Sequence, residues 1–401
     1  MAVRIGVRGT QPTAGGRRGA TLPTILHVAQ PTDGGVARCV HDLVRAQVAA
    51  GWPVTLACPS SGTLAVSAAA DGARVRVWPA RRSPGPSVTA EARRLAAILA
   101  EVRPALIHLH SSKAGLVGRA VLRGRRPVVF QPHAWSFEAA GAGLRALTTA
   151  WERSAGRWAD VTVCVSEAER QRGVRAGIAG PYVVVPNGVD VAAHRVADER
   201  ERALARQRLG LGPGPLAVCV GRLCRQKGQT VLLEAWRLVS AALPGARLAL
   251  VGDGPDRAAL RSGAGHDVLL VGAVGDPREW YAAADVVVCP SRWEGMALVP
   301  LEAMARGRSV VASDVTGMRE AVPPGAGALT PPGDVPALAA AVTLRLRHPG
   351  LAEAEGRVGH AHVARHHTVE RAVLTIDRLY RRLLGLPDPG LPVSDVAGVG
   401  H

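Results

Sequence analysis

The chain has 401 residues, 47% of them hydrophobic, and a formal charge of +17, enough for two domains of ordinary size with substantial cores. Phe, Trp and Tyr make up only 3%, so the cores rest on Ala, Val and Leu, and the aromatic platforms a single-stranded nucleic acid needs are scarce. No apolar run is long enough to span a bilayer, the first twenty or so residues lack the apolar core of a signal peptide, and the six cysteines form no CxxC pair, which reads as buried thiols in a reducing, cytosolic compartment.

Residues 1–22 are rich in Gly, Arg and Thr without periodicity and read as a flexible tail. From there, strands are predicted at 24–30, 53–58, 73–78, 105–110, 127–132, 160–166 and 182–186. The stretch 91–102 between them shows helical apolar spacing. Residues 23–196 therefore form a first Rossmann-like unit. The charged stretch 197–215 reads as a helix running into a Gly/Pro linker, where a second unit, 197–366, begins. Its strands are predicted near 216–221, 247–252, 268–272, 285–289, 309–312 and 327–329. This alternation implies parallel sheets covered on both faces, an α/β fold of two doubly wound domains. An amphipathic helix is predicted over 367–385 with Thr368 as its cap, and 386–401 reads as a Pro/Gly-rich tail.

Charge is uneven along the chain. Residues 1–195 carry 25 basic and 11 acidic side chains, a net +14, whereas 196–401 carry 24 and 21, a net +3. Clusters at Arg81-Arg82, Arg93-Arg94 and 118–126 suit an anionic membrane surface, at about 1 kcal/mol per residue. They equally suit a pyrophosphate-bearing ligand, or simply reflect Arg-rich coding, since 47 of the 49 basic residues are Arg. The two lysines, Lys113 and Lys227, are then conspicuous as compact point charges.

Several predicted strands run into Gly-containing turns: VGRLCRQKG (220–228), LALVGDGP (248–255), LLVGAVGD (269–276) and, in the first half, QPTDGGVAR (30–38). That is how an open parallel sheet presents a ligand crevice at its carboxyl edge. In SRWEGMALVPLEAMARG, Glu294 falls on a strand-to-helix loop and Glu302 about two turns on, roughly 12 Å away by helix rise if the interval is helical. Amides at the helix N-terminus between them suit a phosphate. Two carboxylates flanking such a site suit a nucleotide sugar, with hydroxyls at both ends and a diphosphate between. Alone, the motif would also read as an acidic loop before an exposed helix. Arg222 and Lys227 are the natural cations for a diphosphate, and no DxD-type cluster is present to hold Mg²⁺. His108 and His110 alternate on one strand, with no third metal ligand in view, which favours a packing role. His360, His362, His366 and His367 read as a solvated helix face, and Asn187 and Asp253 as turn residues.

In combination these motifs, with HLHSSKAG (108–115), QPHAWSFE (131–138), VCVSE (163–167) and VPNGVD (185–190), make the chain resemble a family-4 retaining glycosyltransferase of the GT-B fold, over roughly residues 24–385. The similarity is greatest to bacterial members that build exopolysaccharides and lipid-linked glycans. The resemblance implies two domains facing across a cleft, an acceptor site in the first, a nucleotide-sugar site in the second, and a terminal helix crossing back to the first. It implies a UDP- or GDP-sugar donor, a lipid-linked or growing-glycan acceptor, no metal and no cofactor. By the same resemblance, His133 and Glu294 contact the donor sugar, Glu302 the ribose, and Arg222 and Lys227 the diphosphate, with backbone around Gly35, Gly295, Met296, Ala297 and Leu298 adding donors. The backbone near Val274 is a candidate base contact. Where many relatives have Gly-Phe-Gly, this chain has Gly295-Met296-Ala297, which bears on donor choice. A silent sugar-nucleotide-binding partner subunit, a nucleotide-sugar epimerase and a natural-product glycosyltransferase are the competing readings. A dehydrogenase is disfavoured because LVGDGP is not a full GxGxxG fingerprint.

Overall fold

A computed structural model describes residues 22–388, so most of the two predicted tails lies outside the described residues. The first sheet contains β1 Ile25–Ala29, β2 Val54–Cys58, β3 Arg74–Val77, β4 Leu106–His110, β5 Val128–Gln131, β6 Val161–Cys164 and β7 Tyr182–Val184, in the order β3-β2-β1-β4-β5-β6-β7. The second contains β8 Leu216–Val220, β9 Arg247–Val251, β10 Val268–Gly272, β11 Val286–Cys289, β12 Ser309–Ser313 and β13 Gly327–Thr330, in the order β10-β9-β8-β11-β12-β13. Every strand pairing is parallel. Strands such as Val-Val-Val-Cys of β11 are buried throughout, as expected for a sheet with helices on both faces. The outer strands β7, β10 and β13 are only partly buried, and the edge strand β3, Arg-Val-Arg-Val, shows charge to solvent.

Strand order reverses between β1 and β4 in one sheet and between β8 and β11 in the other. The crevice outside the carboxyl ends at such a switch point is where these folds hold ligands. The loops after β1, β4 and β5 therefore belong to one rim, and those after β8 and β11 to the other.

The predicted last helix is present at Val369–Leu384, with the Thr368 hydroxyl accepting from the Arg371 amide and Gly385 at φ 65° closing it. It crosses to the first domain. Ile376, Leu379 and Tyr380 are buried with Trp52, Leu56 and Val163 in that domain's core, and Trp52 Nε1 donates to Asp377 at 2.8 Å. Just before it, His367 is buried and its Nδ1 lies 3.1 Å from the Asn187 carbonyl oxygen. This corrects the expectation of a solvated histidine face. His360 Nδ1 meets the Ala305 carbonyl, His362 Nε2 the Glu320 carbonyl, and only His366 of the four is exposed.

Burial lowers the His367 pKa to about 4, with the Asn187 carbonyl pulling the other way. The unfolded chain binds a proton there near 6.5, the folded one only near 4. Stability is then lost as pH falls through that window, on the order of 3 kcal/mol from this group. Thermal midpoints between pH 7 and pH 4 should fall, and His367→Asn should fall less steeply. Identical slopes for both proteins would remove His367 from the acid response.

Candidate functional site

The helix Leu298–Ala305 begins four residues after Glu294, so the interval between the two glutamates is only partly helical and a rise-based separation does not apply. Both carboxylates are buried, at 6% and 4% exposure. Glu294 Oε1 accepts from Lys227 Nζ at 2.5 Å and from Ser291 Oγ at 2.8 Å, and Gln226 Nε2 approaches Oε2 at 3.4 Å. Burial pulls the Lys227 pKa down, but Glu294 overrides it and holds the ammonium above its ordinary value. Gly228, at φ 68°, makes this pairing possible: a Cβ there would overlap the Pro290 carbonyl, so only glycine lets the β8 loop close on the end of β11. Arg222, on the same loop, is exposed.

Glu302 is held by groups that the sequence reading missed. Arg38 Nη1 donates to Oε1 at 2.5 Å and Tyr281 Oη to Oε2 at 2.6 Å. Arg38 lies on the helix Gly34–Ala49 of the first domain, so this ion pair spans the cleft. Glu302 raises the Arg38 pKa, against burial. Other contacts also cross the cleft. Ser166 Oγ donates to the Gly295 carbonyl at 3.2 Å, and Asn187 Nδ2 to the Met296 carbonyl at 2.7 Å. Asn187 thus clamps the two domains as well as turning its loop. A Cβ on Gly35 would sit 3.9 Å from Leu298, so these two predicted positions face each other. Ala297 is the residue before the helix, buried and extended at φ −73°, ψ 143°. Val274 is an exposed residue after β10.

His133 is half-buried and sits at φ 54°, followed by Ala134 at φ 117°, two consecutive non-glycine residues in the left-handed half of backbone space. Glu169 maintains that strain. Its Oε1 accepts from the Ala134 amide and its Oε2 from the Val165 amide, both at 2.7 Å, inside the first domain and against Gly295. Burial raises the Glu169 pKa to about 8, against the pull of those two amides. Burial also pushes the His133 imidazole down to about 4, so it is neutral at pH 7. Glu169→Ala would strand two buried amides, each at about 1–3 kcal/mol. It should lower the melting temperature and reduce kcat more than donor affinity, with Glu169→Gln intermediate. Unchanged kcat in a folded Glu169→Ala protein would separate the carboxylate from His133.

Elsewhere the structure revises two expectations about cations. Lys113 forms a buried pair with Glu91 at 2.8 Å, a core feature. Arg119, within the basic stretch 118–126, is fully buried, bonded to Glu152 at 2.7 Å and stacked over Phe130, so it faces no membrane. Arg82 lies near enough to Arg222 for the two charges to repel, which, after burial, lowers its pKa. His108 and His110 do have a third histidine beside them, His27 of β1.

Two family models match the chain, one described as Glycosyltransferase Family 4 over residues 33–193 and one as Glycosyl transferases group 1 over residues 214–348. Among curated relatives, it is 32% identical over 216 residues to the lipopolysaccharide core biosynthesis mannosyltransferase LpcC of Rhizobium leguminosarum bv. viciae, covering 51% of this chain and 61% of that protein. It is 32% identical over 254 residues to the GDP-mannose-dependent alpha-(1-6)-phosphatidylinositol monomannoside mannosyltransferase of Mycobacterium tuberculosis, covering 60% and 65%. It is 30% identical over 229 residues to the UDP-Gal:alpha-D-GlcNAc-diphosphoundecaprenol alpha-1,3-galactosyltransferase of Escherichia coli, covering 53% and 58%. The matches thus span about six tenths of these relatives' length. In structure, the chain is similar to Anabaena Alr3699/HepE in complex with UDP-glucose, with a TM-score of 0.78 at 22% identity over 90% of this chain and 100% of that one. It is similar also to sucrose-phosphate synthase from Thermosynechococcus elongatus, at 0.77 and 25% over 90% and 99%. Matched in both halves by these family models and built as two parallel-sheet domains with a crossing terminal helix, the chain belongs to glycosyltransferase family 4, with the GT-B fold.

Proposed function

We propose that this protein transfers a hexosyl unit from a nucleotide sugar to a lipid-linked or growing-glycan acceptor, with retention of anomeric configuration and without a metal at the diphosphate. The observation that carries the reading is the Lys227–Glu294 pair, an ammonium and a carboxylate joined at the carboxyl edge of the second sheet, with Arg222 on the same loop. The diphosphate takes the two cations, and the sugar hydroxyls take Glu294. The ribose hydroxyls reach Glu302 by replacing Arg38, whose side chain is 38% exposed. Neutral His133 borders the reaction centre and positions the sugar. The bond from the anomeric carbon to the phosphate oxygen breaks as the acceptor oxygen bonds to that carbon on the same face. The acceptor's proton passes to the departing phosphate oxygen. Fixed cations aimed at that growing charge supply the catalysis.

The names of the relatives make GDP-mannose the first donor to test and UDP-galactose the second. The acceptor class follows the lipopolysaccharide, phosphatidylinositol-mannoside and diphosphoundecaprenol relatives. Among the described residues no helix is long and apolar enough to cross a membrane. The basic first half then serves a protein working at the cytoplasmic face of an anionic membrane. Binding to vesicles should need anionic lipid and fade with salt; equal binding to neutral vesicles would overturn that part.

The central test follows thermal shift and slow hydrolysis across GDP-, UDP-, ADP- and dTDP-sugars, with Lys227→Ala as control. A lipid-extract acceptor assay comes next, with the product anomer read by NMR. One stabilising donor, hydrolysed by the wild type alone and transferred with retention at equal rates with and without Mg²⁺, is the expected result. An inverted product would overturn the stereochemistry. A panel in which nothing binds would overturn the donor site.

A further inference from the structure

The first domain buries a histidine cluster beneath its crossing helix. His27 on β1 and His108 and His110 on β4 lie on neighbouring central strands, with His27 in register with His108. Their exposures are 0%, 0% and 1%, and one ring nitrogen from each falls within 4.8 Å of the other two. We propose that these three imidazoles form a binding site for one divalent transition-metal ion of the Zn²⁺ class, distinct from the Lys227–Glu294 donor site and joined to His133 through His110.

The outer nitrogens of all three rings are already held by partners. His27 Nε2 lies 2.7 Å from Gln47 Oε1, His108 Nδ1 lies 2.5 Å from Tyr380 Oη, and His110 Nδ1 lies 3.4 Å from His133 Nε2. Such outer hydrogen bonds are what fix tautomer and ring orientation in metal-bound histidines. With Gln47 Oε1 as acceptor, the His27 proton sits on Nε2 and the Nδ1 lone pair faces inward. The inward nitrogens are then His27 Nδ1, His110 Nε2 and His108 Nε2. The first two are 2.9 Å apart. His108 Nε2 is buried without a geometric hydrogen bond, with the Gln131 side chain close to the ring; with Nδ1–H donating to Tyr380 Oη it carries the lone pair that a cation would satisfy.

The chemical state of the cluster suits a metal. Imidazole ligands select Zn²⁺, Cu²⁺ or Ni²⁺ over Mg²⁺ and Ca²⁺, which prefer oxygen. Zinc at ~2.0–2.1 Å from each nitrogen in a tetrahedron needs nitrogens roughly 3.3 Å apart. His27 and His110 must therefore separate by about half an ångström. A cavity of about 50 Å³ adjoins His110, lined also by Gln131, Asn187, Cys39 and Asp42. That is room for a water beside His110, and Asp42 is the acidic residue in its wall. A bound ion would tie β1 to β4 and, through Tyr380, to the crossing helix.

The test uses the full chain without a histidine tag. Metal content is measured after expression, and the metal-free protein is titrated with Zn²⁺ against a chromophoric chelator, then with Co²⁺ by visible absorption. The expected result is one equivalent of Zn²⁺ per chain, intense d–d bands from a low-coordinate Co²⁺ site, and a raised melting temperature with Zn²⁺ and not Mg²⁺. His108→Gln should weaken Zn²⁺ binding at least roughly tenfold, while His366→Gln, on the exposed helix near the C-terminus, leaves it unchanged. If His108→Gln fails to fold, the wild-type cobalt spectrum still decides. Absence of stoichiometric binding by the wild type, octahedral-type weak cobalt bands, or loss of binding in His366→Gln instead would overturn the proposal. The three rings would then be a hydrogen-bonded relay that braces His133.

Discussion

Lys227→Ala should lower turnover by about 10²–10³, the range for removing one fixed donor from a developing charge, and change donor affinity only a few fold. The basis is the placement of Lys227 Nζ, 2.5 Å from Glu294 and raised in pKa by it, so that the ammonium is charged and fixed before the donor arrives. A ligand that adds negative charge in the transition state strengthens its hold on that ammonium most, which places the effect on kcat. The variant also leaves Glu294, 6% exposed, without its cation. Breaking a fully buried pair costs about 3–5 kcal/mol, and the quarter-exposed lysine and the remaining Ser291 hydrogen bond reduce that here. Steady-state kinetics and a melting curve on one preparation separate the two effects. Equal losses in kcat/KM and in donor affinity, at unchanged kcat, would show that Lys227 binds ground state and transition state alike.

Gly317→Ala should be nearly as damaging, by a different route. Gly317 follows β12 at φ 77°, and a Cβ there would overlap the Gly295 carbonyl oxygen. The backbone it presses on is the loop carrying Glu294, and that carbonyl also accepts from Ser166 across the cleft. Relief requires the loop to move by something near 1 Å, enough to lower kcat about 10²-fold where geometry controls rate. Lost turnover with a modest fall in melting temperature is expected, since the rest of the second domain's core is untouched. A Gly317→Ala enzyme with wild-type kinetics would mean that the loop adapts and that its position is not set by this contact.

The strands were readable from the sequence because parallel strands buried on both faces appear as unbroken Val, Leu, Ile and Ala runs. All thirteen lie within a residue or two of their predicted limits. Gly228 was legible as a loop glycine, though not as a contact, and nothing in the sequence pattern singled out Gly317. What escaped were pairings between residues distant in sequence. Arg38 reaches Glu302 across 264 positions, and nothing in GGVAR indicates which carboxylate it meets. His108 and His110 were visible as a same-face pair, but His27 becomes their neighbour only once β1 is known to lie beside β4. Glu169 was obscured by its ordinary setting near the start of a helix, where an acidic residue needs no special explanation. Its bond to Ala134 arises from the β5–β6 pairing. The solvated-histidine expectation failed at His367 because helical periodicity cannot foresee that the chain leaves the helix there to meet Asn187.

The crossing helix has a consequence for the order in which the protein assembles. Tyr380, with no exposed surface, and its neighbours Ile376 and Leu379 complete a core whose other members are encoded before residue 186. During synthesis, the domain translated first must wait, with an apolar face open, until the second has emerged in full. The half made later can close its own sheet without such a delay. A fragment ending near residue 196 should accumulate poorly or bind chaperones, and adding the peptide 367–388 in trans should rescue it.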